Sequence, residues 1–325
     1  MTRVPSPTTA LLHVLVAKPI SIFVWWLAEG ANRCVFDDRA RLARLARAAQ
    51  QEGRPVVFAS NHVSMFDDPV LPMTLFRTGP RAAAELATLL FLIALWGFGP
   101  APLARSTWLG GLALCVGIAF ALFGAHKIWW SLGDLVNFSG ASALRGKLET
   151  GRARPLTAPL RAALALADPA IFHFMRSGAV KTVMVDRRPG ADARDARARS
   201  VAATIEIAAR GEPVWVFFEG GRSRDPERIA PARAGIGSIA LELERRGLHP
   251  AVFAIHHRGL EQIIPISSRR WITSGHTIEV HWCEVKLETC SAPPEPDDAQ
   301  RVADQIREAV VGLQHTWRAG AEATG

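Results

Sequence analysis

Pro55-Val56-Val57-Phe58-Ala59-Ser60-Asn61-His62-Val63-Ser64-Met65-Phe66-Asp67-Asp68-Pro69 carries an apolar run straight into a polar block. The run 55–59 reads as a buried strand, and Asp67-Asp68-Pro69 has the composition of a helix start. In a regular helix a five-residue offset separates two side chains by about 140°, so His62 and Asp67 would not share a helical face. They meet only if the chain turns at His62 and enters a helix near Asp67. In that geometry Asp67 accepts from one ring nitrogen and stabilises the imidazolium formed when the other nitrogen takes a proton. Taken alone, the same spacing is more often a helix-capping aspartate beside a structural histidine.

Working outward, Asp37 to Gln51 reads as an amphipathic helix, with Leu42, Leu45 and Ala49 at helical spacing among arginines. Beyond the His62 block, residues 80–155 read as an insertion carrying an apolar helical hairpin, closed by the loop-like stretch Gly146 to Pro159. From there the pattern alternates: helix 159–177, strand 179–185, helix 192–210, strand 213–218, helix 234–246, strand 250–256, strand 277–287 and helix 296–318. Such alternation predicts an α/β fold, a mixed and mostly buried β-sheet covered by helices. Strands rich in Val, Ile and Phe without polar alternation predict burial on both faces. The expected organisation is an N-terminal membrane-associated segment at 1–35, a catalytic domain at 36–79 and 156–320, and the insertion at 80–155.

Composition narrows the setting. The 325 residues are 49% hydrophobic with a formal net charge of +8 and a mean hydropathy of +0.13. A basic, apolar chain suits nucleic acid or an anionic bilayer. The arginines are scattered among alanines with no zinc-finger spacing or RNA-binding aromatic signature, so no nucleic-acid partner is expected. Cys34, Cys115, Cys283 and Cys290 lie far apart without a CxxC pair, which argues against a disulfide framework or a metal site and fits a reducing compartment.

Three apolar segments bear on the bilayer. Ala10 to Leu27 carries Lys18-Pro19 at its middle and Trp25-Trp26 near its end, suiting an interfacial helix with the lysine snorkelling. Leu86 to Leu103 is apolar but interrupted by glycines and prolines. Trp108 to Ala125 runs eighteen residues without a charge, close to a bilayer-spanning length. Positive flanks on both sides of the pair fit a hairpin entering and leaving from the cytoplasmic side. A buried helical pair in a soluble core is the alternative.

Two further blocks follow strands. Strand 213–218 runs into Glu219-Gly220-Gly221-Arg222-Ser223-Arg224-Asp225, where two glycines allow close backbone approach to a ligand and two arginines suit a phosphate clamp. Glu219 could orient an arginine or a substrate hydroxyl. Asp186-Arg187-Arg188 follows strand 179–185 and could add phosphate contacts. With no Ser or Cys in a nucleophile-elbow context, the nucleophile expected is a substrate hydroxyl.

Together the blocks resemble the glycerolipid acyltransferase family, which contains the 1-acylglycerol-3-phosphate acyltransferases. That family has an N-H-x4-D block, a block ending in Arg after a strand, and an F-P-E-G-T/G-R-S block. Here they stand as Asn61-His62 to Asp67, Val185-Asp186-Arg187 and Phe217 to Ser223, with Phe218 in place of the usual proline. The resemblance implies that His62 is a general base and Asp67 its partner. It also implies that Asn61, Arg187, Glu219, Gly220, Gly221, Arg222 and Ser223 serve the acceptor. No bound cofactor or metal is implied; the acyl donor would be acyl-CoA, acyl carrier protein (acyl-ACP) or a phospholipid. Membrane phospholipids and lysophospholipids would be the partners, at the cytoplasmic face of a membrane (the inner membrane in a bacterium). The Gly221-Arg222-Ser223-Arg224 variant is similar to glycerol-3-phosphate acyltransferases. Asp67-Asp68-Pro69, Ala234-Gly235-Ile236-Gly237 and His257-Arg258-Gly259-Leu260 are similar to tafazzin-type transacylases, which need no coenzyme A. A non-catalytic lipid-binding protein on the same fold is the reading from a different class.

Overall fold

The computed structural model describes residues 18–64, 67–98, 111, 115, 130–134, 182–185, 191–223, 225, 227–263, 273–287 and 297–324. Seven strands form one sheet: β1 (Arg33–Phe36), β2 (Val56–Ser60), β3 (Trp130–Asp134), β4 (Thr182–Val185), β5 (Val214–Phe217), β6 (Ala251–Arg258) and β7 (Thr277–Val285). Their order is β1-β7-β6-β2-β5-β3-β4, and every neighbouring pair is parallel except β6 with β7. The sheet is therefore mixed, and both faces of β2 and β5 are buried, as their non-alternating sequences require.

Helices cover both faces. On one side lie α1 (Lys18–Trp25, continued by a π-helical turn to Gly30), α2 (Arg39–Gln51), α3 (Asp67–Leu75) and the short α7 (Leu260–Ile263). Val24, Leu42, Ala46 and Leu71 pack there on Phe58, Trp215 and Phe253, whose rings stack at centroid distances of 4.9 and 5.6 Å from Phe58. On the other side lie α5 (Ala191–Ala209), α6 (Ala234–Arg245) and α8 (Asp298–Thr324), packed on Val57, Ala59, Val214, Val216, Val252 and Ala254. Gly237 makes the α6–α8 crossing possible, because a Cβ there would stand 1.7 Å from the Ala299 carbonyl oxygen.

Two expectations change. Lys18 does not snorkel: it is fully buried and pairs with Glu85 of α4 (Thr78–Phe98), which packs on α1. The stretch 80–155 is not only an apolar hairpin, because it supplies β3, which enters the sheet between β5 and β4. A strand that pairs on both edges is part of the domain's own sheet. Helix 159–177 lies outside the described residues, as does nearly all of Trp108 to Ala125. Among the described residues no helix is long and apolar enough to cross a membrane.

Candidate active site

The central strand β2 ends at Ser60, flanked in parallel by β5 and β6, so the residues that follow all three strands converge at one end of the sheet. There the chain leaves β2 through Asn61-His62-Val63-Ser64 and enters α3 at Asp67. The turn is built around one carboxylate oxygen. Asp67 Oδ2 accepts from the Val63 N–H at 2.7 Å and the Ser64 N–H at 2.9 Å, and lies 2.9 Å from His62 Nδ1. Asp67 is fully buried at a helix N-terminus, where the helix dipole favours its charge. Since a carboxylate can only accept, it fixes the proton on Nδ1 and leaves Nε2 as the basic nitrogen. The imidazole remains 15% exposed and stacks on Phe217, with ring centroids 4.3 Å apart.

The block after β5 grips His62 by its main chain. Glu219 Oε1 accepts from the His62 N–H at 2.7 Å, and the Ser223 N–H donates to the His62 carbonyl at 2.7 Å. The second Glu219 oxygen accepts from the Ala230 N–H at 3.0 Å. Burial raises the Glu219 carboxyl above its ordinary range, opposed by those two backbone donors. Gly220 turns the loop with φ of +71°, a left-handed conformation, and the Arg233 side chain packs against its Cα. Gly221 has open space around it. Phe218, where the family has proline, is a buried core residue whose carbonyl accepts from the Arg233 N–H at 2.8 Å. Packing thus holds the loop where a proline ring would otherwise restrict it.

The structure sorts the candidate residues by task. Arg222 is half-buried and makes no hydrogen bond or ion pair with the described residues; it directly precedes Ser223, whose N–H holds the His62 carbonyl. Ser223 turns its hydroxyl toward the Asp225 and Arg228 carbonyls. Asn61 is buried, and its amide is engaged by the sheet: Nδ2 donates to the His257 carbonyl and Oδ1 accepts from the His257 N–H. Arg187 lies outside the described residues. Sequence reasoning did not give His257 or Phe217 a place in the site. A signal was present, since Phe217 opens the Glu219 block and His257 opens the His257-Arg258-Gly259-Leu260 stretch.

A buried carboxylate and an imidazole oriented by it can deprotonate a hydroxyl, and an arginine without a partner among the described residues suits an anionic molecule. Residues 146–266 match the Acyltransferase family model. The chain carries an acyltransferase domain. The matched span includes β4, β5, the Glu219 block and β6, and it begins after His62 and Asp67, so the acyltransferase's histidine turn rests on the geometry above. No curated protein sequence matches. Among solved structures, the 1-acyl-sn-glycerophosphate (LPA) acyltransferase PlsC from Thermotoga maritima aligns over 95% of both chains, at 12% identity and a TM-score of 0.37. A superposition that loose carries no argument about the acyltransferase's substrate.

Proposed function

We propose that this acyltransferase moves a fatty acyl chain onto the hydroxyl of a lysophospholipid of the lysophosphatidic acid type, with His62 as general base. The observation that carries the reading is the His62–Asp67 contact, gripped through Glu219 and Ser223 by the loop that carries Arg222. His62 Nε2 takes the proton from the acceptor hydroxyl, and the alkoxide attacks the acyl carbonyl. The tetrahedral intermediate collapses as protonated His62 returns the proton to the leaving group, a thiol or a donor lipid's hydroxyl. Asp67 stabilises the imidazolium between the two transfers. Arg222 and Arg187 are the cations proposed to hold the acceptor's phosphate.

The reaction is proposed to occur at a membrane surface, on its cytoplasmic face. Ile20, Phe23 and Trp26 on α1 and its π turn, and Leu90, Phe91 and Ile93 on α4, expose large apolar side chains; Leu90 and Phe91 are each 65% exposed. Because α1 and α4 pack together, these side chains sit on one helical pair. Apolar side chains on such helices favour partition into a lipid interface.

The test is acyl transfer to lysophosphatidic acid, other lysophospholipids and glycerol 3-phosphate, with acyl-CoA, acyl carrier protein or intact phospholipid supplied separately. Transfer from a thioester to lysophosphatidic acid is the expected result. Transfer only from intact phospholipid would identify a tafazzin-like transacylase, and transfer to glycerol 3-phosphate the alternative acceptor. No transfer with any pair would sink the reading and leave a lipid-binding protein.

A further inference from the structure

We infer that His257, at the end of β6, is a positioning residue for the general base, an inference that rests on the functional reading above. His257 is fully buried and meets the catalytic turn through three hydrogen bonds. Two are the main-chain pair with the Asn61 amide, at 2.9 and 3.0 Å. The third comes from the ring: Nε2 lies 2.9 Å from the Asn61 carbonyl oxygen. A carbonyl only accepts, so Nε2 carries a proton. The same nitrogen stands 3.6 Å from Asp67 Oδ2, the oxygen that holds His62 Nδ1. That is too long for a hydrogen bond but close enough for the N–H dipole to favour the carboxylate's charge.

The order across the site is therefore His62, Asp67, His257, with the outer histidine partly open to solvent and the inner one sealed. His257 ties the residue before His62 to the sheet and places its donor against the partner of His62. Its other ring nitrogen, Nδ1, is buried with no hydrogen-bond partner among the described residues. A leucine at 257 would satisfy the packing better than a ring with an orphaned nitrogen. The Nε2 donor is what the imidazole adds. The charged and titratable groups around His62 are Asp67 at the start of α3, Glu219 beyond β5 and His257 at the end of β6. Arg222 adds a cation just before the Ser223 amide that holds His62. Of these, only His257 has its ring sealed beneath Asp67.

Two substitutions test the assignment in the full chain. His257→Gln keeps a side-chain donor near the Nε2 position; His257→Leu keeps the bulk and removes the donor. With histidine-labelled protein in detergent, NMR follows the titration of the His62 ring beside acyl-transfer kinetics and thermal unfolding. The expected result is that H257Q stays within about threefold of the parent in kcat. H257L should displace the His62 titration curve from the parent's as the Asp67 contact loosens, and lower kcat about tenfold or more with KM unchanged. An H257L protein that titrates and turns over like the parent would overturn the assignment. So would equal losses in both variants, which would reduce His257 to packing. If no acyl transfer is found at all, the functional reading fails on its own, while the His62 titration still decides the role of His257.

Discussion

Glu219 holds His62 by its backbone, with Oε1 accepting from the His62 N–H at 2.7 Å and Oε2 from the Ala230 N–H at 3.0 Å. An amide at 219 has one accepting oxygen, so Glu219→Gln leaves one buried N–H without a partner. That costs about 1–3 kcal/mol and loosens His62, the proposed base. The expected outcome is a lower melting temperature and a fall in kcat of about tenfold, with the acceptor's KM nearly unchanged. If KM rose instead while kcat held, Glu219 would be a substrate contact.

The same residue sets a pH dependence. Burial raises the Glu219 carboxyl above its ordinary range, so the folded chain binds that proton more tightly than the unfolded chain. Its contribution to stability is therefore full below the ordinary carboxylate range and is lost as pH rises through the raised value. Urea midpoints measured from about pH 4 to about pH 8 should decline across that window in the parent more than in E219Q. Parallel curves would contradict it.

Under the proposed chemistry, His62→Gln and Asp67→Asn act on the same step. Each should lower kcat by about 10²–10⁴ and leave acceptor binding largely intact. The double variant should be little worse than the worse single one, because the two residues work as a unit. Full activity in H62Q would remove His62 as the base.

Lys18 and Glu85 form a buried pair between α1 and α4. Removing one partner strands a charge in the core, at about 3–5 kcal/mol, whereas replacing both with apolar residues recovers most of that loss. Thermal unfolding of Glu85→Leu and of the Lys18→Met/Glu85→Leu pair should show this order; equal destabilisation would argue against it.

The thiols divide by environment. Burial pushes the Cys34 thiol up to about 12 and raises that of Cys283, while Cys115 is exposed. Iodoacetamide at mildly alkaline pH should label Cys115 in the folded protein and leave Cys34 unmodified until denaturant is added. Mass spectrometry of the peptides reads the result.

Much of this site could be read from local chemistry. The strand before His62, the helix beginning at Asp67 and the strand before Glu219 follow from apolar runs broken by polar blocks, and each expected strand edge falls within three residues of the observed one. What the sequence could not display were contacts made across the sheet. Asn61 and Glu219 look like ligand-binding residues because polar side chains beside a histidine usually face a substrate. The structure turns both onto backbone partners instead, since the ends of three adjacent strands bury too many N–H and C=O groups to leave unpaired. Strand β3 was hidden for a different reason. Trp130-Ser131-Leu132-Gly133-Asp134 is short and mixed, and its pairing with β4 and β5 comes from distant residues.

The stacking of Phe217 on His62 has a directional consequence. The benzyl ring shuts one face of the imidazole and Asp67 occupies the edge at Nδ1, so Nε2 is the one edge left for proton traffic. Under the proposed chemistry, an acceptor that loses its proton there must present its hydroxyl close to the ring plane. On that proposal, which of several hydroxyls on a glycerol backbone can react would be decided by how the headgroup is held against the open edge of the ring.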